Sequence, residues 1–220
     1  MTGESECPPE DILSNLKRLQ KRALSGYKVS PYVTEQRFSE ALAPKHVAIS
    51  LSGEPTLYSQ LPELIRLLNA EDYTTFLVSN GTRPDVLREC RPFQLYVSLV
   101  APDQATYQRI CRPLEDSWEN LKESLGVLDS QRSAIRITLV KDLNDSDPGG
   151  YARLIADSGA DYIEVKGYMY LGYSRKRLQR SNMPEHAHVR QFAEQIAERS
   201  GYCIADENSL SRVVCMERES

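Results

Sequence analysis

Five times along this chain a short apolar run ends in a polar or glycine-bearing turn and gives way to a helical pattern. The runs are His46–Leu51 (HVAISL), Thr74–Ser79 (TTFLVS), Leu95–Val100 (LYVSLV), Ala134–Val140 (AIRITLV) and Tyr162–Lys166 (YIEVK), and each reads as a strand. Between them Leu61–Ala70 sets Leu61, Leu64, Ile65 and Leu68 on one face. Ser117–Leu128 repeats Trp118, Leu121, Leu125 and Leu128 in steps of three and four, and Pro184–Arg199 aligns Val189, Phe192, Ala193 and Ile196. Strands alternating with helices in this way run parallel and are joined by right-handed crossovers, which predicts an α/β sheet or barrel.

Smaller signals fill in the frame. Pro9–Leu24 predicts a first helix. The stretch SGYKVSPYVTEQ reads as loop, with a short helix near Phe38. Thr82 is placed to cap a short helix with Pro84 in its first turn, and Asp147-Pro148 opens another that Gly159 closes. The tail, CIAD and RVVCM around Glu207-Asn208-Ser209, predicts a closing hairpin. The 220 residues carry 27 basic and 31 acidic side chains, a size and balance that fit one domain spanning 1–220 and argue against a general nucleic-acid coat. No stretch reaches the ~18 apolar residues of a membrane span, and the first residues lack a signal-peptide pattern. A cytoplasmic protein with no membrane partner is expected. The five cysteines, Cys7, Cys90, Cys111, Cys203 and Cys215, lie twelve or more positions apart, so no CxxC or zinc-ribbon spacing exists, and reduced thiols are expected.

In α/β folds ligands gather at the carboxyl ends of the strands. Here those ends are Ser52–Pro55, Ser79–Gly81, Ser98–Ala101, Lys141–Asn144 and Lys166–Tyr168. Gly53 permits close backbone approach, Pro55 stiffens the turn, and Glu54 is an acceptor suited to a ligand ammonium; the plainer alternative is a strand-to-helix turn with an exposed Glu. Ser79-Asn80-Gly81 offers a hydroxyl and an amide, or simple turn chemistry. Lys166 is either an exposed strand-end lysine or a group that pairs with a carboxylate or attacks a carbonyl. Tyr173–Arg180 (YSRKRLQR) is a solvated loop or a segment that sets guanidinium groups against RNA. His186 and His188, two apart, do not share a helix face and predict no metal pair.

The blocks SLSGEPTLY, FLVSNGT, QLYVSLVAPD, YQRICRPLEDSWE, RITLVKDLN and YIEVKGYMYLGYSRKRL, in this order, resemble the archaeal and eukaryotic wyosine-forming tRNA enzymes, the 4-demethylwyosine synthases of the radical SAM superfamily. The match runs from about Pro8 to the end. It implies a partial (β/α)6 barrel, here missing its first strand, whose pocket holds S-adenosyl-L-methionine on a [4Fe–4S] cluster. Full-length members rebuild N1-methylguanosine in tRNA-Phe with two carbons of pyruvate, through a 5′-deoxyadenosyl radical. By the same resemblance Ser52, Gly53, Glu54 and Pro55 receive the methionyl ammonium. Ser79, Asn80 and Ser98 belong to the same pocket, Lys166 serves pyruvate or the modified base, and Arg175, Lys176 and Arg177 face tRNA.

Two departures stand out. The family's CxxxCxxC cluster loop and first strand are not among these residues, and Val100 stands where SLDA or SVDA carries an acidic residue. The expectation is therefore a monomeric chain of this family, cut off from its cluster region and inactive alone. The alternatives are a non-enzymatic tRNA- or protein-binding descendant, or an α/β-barrel enzyme using Glu54 and Lys166 on a small keto acid.

Overall fold

The computed structural model describes residues 6–51 and 53–219. Among them are eight α-helices and seven strands. The amphipathic α1 (Pro9–Leu24) and α2 (Glu35–Leu42), the latter capped by Thr34 Oγ1 accepting from Arg37 N, precede the sheet. Then come β1 (His46–Ile49), α3 (Leu61–Ala70), β2 (Thr74–Ser79), α4 (Pro84–Glu89), β3 (Gln94–Ser98), α5 (Gln104–Cys111) and α6 (Trp118–Leu125). They continue with β4 (Ser133–Leu139), α7 (Pro148–Ala156), β5 (Tyr162–Gly167), α8 (His186–Ser200), β6 (Tyr202–Asn208) and β7 (Val213–Arg218). No helix among the described residues is long and apolar enough to cross a membrane.

The strands form one open sheet in the order β1-β2-β3-β4-β5-β7-β6. The first five are parallel and sit in chain order. The tail hairpin then adds β7 antiparallel to β5. This is the expected partial barrel, unclosed, with its predicted closing hairpin. Because β7 runs backward, the turn at residues 209–212 reaches the carboxyl end of β5, where Gly167 N donates to Arg212 O at 2.8 Å.

One face of the sheet is the core. Leu77, Leu95, Val97, Ile135, Ile137, Leu139, Ile163, Val165, Val214 and Met216 are buried there against Leu61, Ile65, Leu121, Ile155, Phe192 and Ile196 of the helices. Each such burial contributes about 1.5–3 kcal/mol. The alternate residues, Tyr96, Ser98, Arg136, Thr138, Glu164 and Lys166, stand on the other face and are half-buried or exposed. A period of two along each strand thus separates an apolar from a polar surface.

Local expectations were met with corrections. Asp147 Oδ1 accepts from Gly150 N and Pro148 opens α7, and Gly201 ends α8 at φ 75°. Thr82 does not cap α4: Arg83 holds that position, while Thr82 N and Oγ1 donate to Asn80 Oδ1. The predicted helix to Leu128 stops at Leu125, and Leu128 opens a separate 3-10 turn that still delivers its side chain to the core. His46–Leu51 shortens to His46–Ile49 because the backbone turns at Leu51, whose φ is 86°.

Buried Asn144 fixes the carboxyl ends of β3 and β4. Its Nδ2 donates to Val100 O and Thr138 O, both at 3.0 Å, and its Oδ1 accepts from Val140 N at 2.7 Å. Asn144→Ala strands these three groups, and a loss of about 2–3 kcal/mol is expected in urea unfolding. A stability equal to that of the unsubstituted chain would remove Asn144 from this role.

Candidate functional site at the carboxyl edge of the sheet

The turn after β1 is held by one carboxylate. Glu54 Oε1 accepts from Thr56 N at 3.2 Å, from Thr56 Oγ1 at 2.8 Å and from Ser79 Oγ at 2.8 Å. Its Oε2 accepts from Asn80 N at 2.7 Å. Glu54 therefore ties the β1 turn to the end of β2. Two carboxylate oxygens offer about four lone-pair directions, and Oε2 has taken only one donor, so an acceptor position remains for a ligand N–H. Gly53 lies beside it at φ 77° with open space where a side chain would be. Leu51, a bulky residue at positive φ with its side chain almost wholly exposed, marks backbone strain in the same turn. Pro55 is half-buried at the start of a short 3-10 turn, and Ser52 lies outside the described residues.

Ser79, expected to belong to the cofactor pocket, orients Glu54. It is buried, donates to Glu54 and accepts from Gly81 N at 3.0 Å, so its hydroxyl is satisfied within the chain. Asn80 is exposed; its Oδ1 is held by Thr82, and its Nδ2 makes no hydrogen bond among the described residues. Gly81 is required, because at φ 75° a Cβ would lie 2.7 Å from Leu121 Cδ1. Thr56, which no sequence pattern singles out, is buried and supplies two of the donors that fix Glu54.

Farther along the same edge, the register aligns Ser98, Arg136, Glu164 and Cys215 in one row across β3, β4, β5 and β7. Arg136 Nε and Nη2 donate to Glu164 Oε2 at 3.0 and 2.8 Å, and the guanidinium lies 4.5 Å above the Tyr96 ring. Burial, and then the negative charge of Glu164, push the Tyr96 phenol above its usual range, so it stays neutral at physiological pH. The next row toward the edge holds Thr138, Lys166 and Val213. Lys166 is exposed and forms no ion pair or hydrogen bond among the described residues. Glu164, on the same face of its own strand, is already taken by Arg136. The sequence concealed this group because Arg136 lies inside an apolar run. The signal was the alternation itself, with Arg136 and Thr138 interrupting Ile135, Ile137 and Leu139 at every second position.

The basic segment begins five residues after β5, at the same edge, as a 3-10 turn over Gly172–Lys176. Tyr168 OH and Ser174 Oγ lie 2.8 Å apart and anchor it. Arg175 donates to Tyr170 O and sits 5.4 Å over that ring, and Lys176 Nζ lies 4.4 Å over Tyr173. Arg175, Lys176 and Arg177 are all exposed. A cleft of about 570 Å³ has Lys141, Arg180 and Arg212 on its walls together with Glu185 and His188.

The cysteines do not converge. Cys7 precedes α1, Cys90 and Cys111 end α4 and α5, and Cys203 and Cys215 lie in the tail hairpin. No three His, Cys, Asp or Glu side chains come together in a metal-binding group among the described residues. The Glu54 bracket, by contrast, leaves an acceptor position on Oε2 that one N–H of an ammonium group can fill. His186 and His188 each meet a carboxylate, Glu207 at 3.1 Å and Asp145 at 3.0 Å, as their separate faces require.

Residues 24–155 match the family described as Radical SAM superfamily, and residues 157–218 match Wyosine base formation. The S-adenosyl-L-methionine-dependent tRNA 4-demethylwyosine synthase of Methanocaldococcus jannaschii is 41% identical over 214 residues, covering 96% of this chain and 68% of that protein. The Pyrococcus abyssi protein of the same name is 42% identical over 220 residues, covering 96% and 64%. The chain thus spans about two thirds of the length of these relatives. Among solved structures, TYW1 with a lysine–pyruvate adduct bound superposes with a TM-score of 0.91 at 39% identity, covering 97% of this chain and 70% of that one.

Two measurements check this geometry. Ser79→Ala removes the link between Glu54 and the β2 end; a loss of about 1 kcal/mol in unfolding and faster hydrogen exchange at Gly81 N are expected. Cys90 is buried, and its thiol is pushed up to about 12 by desolvation. At pH 8 it should resist alkylation in the folded chain while exposed Cys7 reacts, and equal labelling of the two would contradict the packing.

Proposed function

The chain belongs to the S-adenosyl-L-methionine-dependent tRNA 4-demethylwyosine synthase family of the radical SAM superfamily, and we propose that it serves wyosine formation in tRNA-Phe, using pyruvate as carbon donor. The observation that carries this is the exposed amine of Lys166, paired with no carboxylate among the described residues, on the same sheet edge as the Glu54 bracket. The similarity to a structure containing a lysine–pyruvate adduct supports it.

In this mechanism Glu54 Oε2 would hold the ammonium of S-adenosyl-L-methionine, while Ser79 and Thr56 keep its other oxygen oriented. Asn80 Nδ2 and the half-buried Ser98 hydroxyl offer further polar contacts in the pocket. When bound, S-adenosyl-L-methionine supplies hydrogen-abstracting chemistry in this superfamily. Lys166 Nζ attacks C2 of pyruvate. The carbon–nitrogen bond forms, the carbonyl oxygen leaves as water with the two amine protons, and an imine remains. Arg175, Lys176 and Arg177 hold phosphates of the anticodon arm, with Tyr173 and Tyr170 beside them as stacking surfaces. The cluster is not supplied by the described residues, and the 220 residues alone are proposed to bind substrates without turning them over.

Three outcomes are expected. Pyruvate with borohydride labels Lys166 in peptide mass analysis, and an unmodified Lys166 removes it as nucleophile. Replacing Arg175, Lys176 and Arg177 with Ala weakens tRNA binding and lowers the slope of log K against log salt by about 2, roughly 0.7 for each phosphate no longer neutralised. Anaerobic treatment of the 220-residue chain with iron and sulfide yields no charge-transfer absorption, and a bound cluster would overturn the proposal that these residues lack one.

A further inference from the structure

We infer that the cleft bounded by the carboxyl end of β4, the opening of α8 and the tail turn is a second phosphate-binding surface for folded RNA, apart from the segment at Arg175–Arg177; this rests on the proposed action on tRNA. Lys141, Arg180 and Arg212 stand on its walls, each from a different segment, around a volume of about 570 Å³. None of the three side chains forms an ion pair or hydrogen bond among the described residues. Glu185 is the opposing charge, and it sits at the start of α8, where a carboxylate favours the helix dipole. His188, also on the wall, lies 3.0 Å from Asp145 and takes up that carboxylate. Three unpartnered cations thus share the cleft with one unpartnered carboxylate.

The backbone beneath each cation is pinned. Asn182 O accepts from Lys141 N and Asn182 Nδ2 donates to Lys141 O, both at 3.0 Å, so the end of β4 and the 3-10 turn that carries Arg180 hold each other. Arg212 O accepts from Gly167 N at 2.8 Å. A Cβ on Gly167 would lie 3.3 Å from both Arg212 Cβ and Pro184 Cγ, so the glycine lets the two walls close in. Arg212 itself has φ 51°, a left-handed backbone that glycine adopts freely and arginine only under strain. An arginine at such a position, with its guanidinium unpartnered among the described residues, is explained by a use for the side chain. RNA suits the cleft better than an acidic peptide does. Its walls share Arg180 and Met183 with a neighbouring cleft of about 400 Å³, where Arg175 lies over the Tyr170 ring. Cations interleaved with an aromatic face fit phosphates and unstacked bases, and phosphate contacts fix orientation without reading sequence.

The test measures binding of a folded tRNA-Phe transcript to the full chain over a series of salt concentrations. Lys141→Ala, Arg180→Ala and Arg212→Gly are combined, and a control of equal charge change replaces the exposed Lys21, Arg22 and Lys28 with Ala. The cleft variant should bind about tenfold to a hundredfold more weakly, and its slope of log K against log salt should be shallower by about 2, roughly 0.7 for each phosphate released. The control should lose far less of both. Arg212→Gly alone should weaken binding about threefold with no fall in the urea midpoint, because it relieves strain and leaves the Gly167 clasp in place. Equal losses in the cleft variant and the control, or a weakening by Arg212→Gly that only tracks a lower urea midpoint, overturn the assignment. Displacement of the tRNA by poly-glutamate at equal charge concentration also overturns it, in favour of an acidic protein. If the unsubstituted chain binds no tRNA, the proposed function and the cleft fall together. If it binds with a slope that the cleft variant shares, the cleft alone is wrong.

Discussion

Parallel pairing of β1 to β5 in chain order brings the turns at Gly53, Asn80, Ala101, Asn144 and Gly167 to a single edge. Polar groups as distant in sequence as Glu54 and Lys166 thereby lie along one edge of the sheet. The arrangement is not maintained by the ladders alone, because the ladders end before the turns begin. Side chains continue it: Glu54 joins the first two strand ends and Asn144 joins the third to the fourth. Each of these groups satisfies several donors or acceptors that would otherwise be costly to leave unpaired.

The two faces of the sheet divide the labour. Apolar residues on one face pack against the helices and set the strand positions, and the residues between them are free to carry charge on the other. Arg136, Glu164 and Lys166 sit among Ile135, Ile137, Ile163 and Val165 without disturbing the core, because successive side chains point to opposite sides. A one-residue slip of β4 or β5 would bury the charges and expose the isoleucines. The register is therefore fixed by the same residues that make the site chemically useful.

Much of this frame was readable from the chain. Leu61–Ala70 and Thr74–Ser79 have the bounds their periodicity implies, and the Asp147-Pro148 cap formed as its chemistry requires. The motif blocks placed Glu54 and Lys166 at one edge, as the parallel pairing requires. What could not be read was direction and partnership. Ser79 suited a ligand, but its hydroxyl is turned to Glu54; Thr82 suited a cap, but Asn80 captured it. Arg136 and Glu164 lie 28 positions apart and meet only through the β4–β5 register, which no local pattern specifies. Short polar side chains choose among neighbours that only the folded chain supplies.

The backward course of β7 has a consequence for the rim. Five of its loops come from forward strands, but the turn at residues 209–212 arrives from the far end of the sequence and is clasped to Gly167, next to Lys166. The last segment of the chain is thus a doorpost of the entrance as well as a closing ornament of the sheet. Variation there, remote in sequence from every other strand end, can reshape the rim beside Lys166 while the floor of the sheet stays untouched.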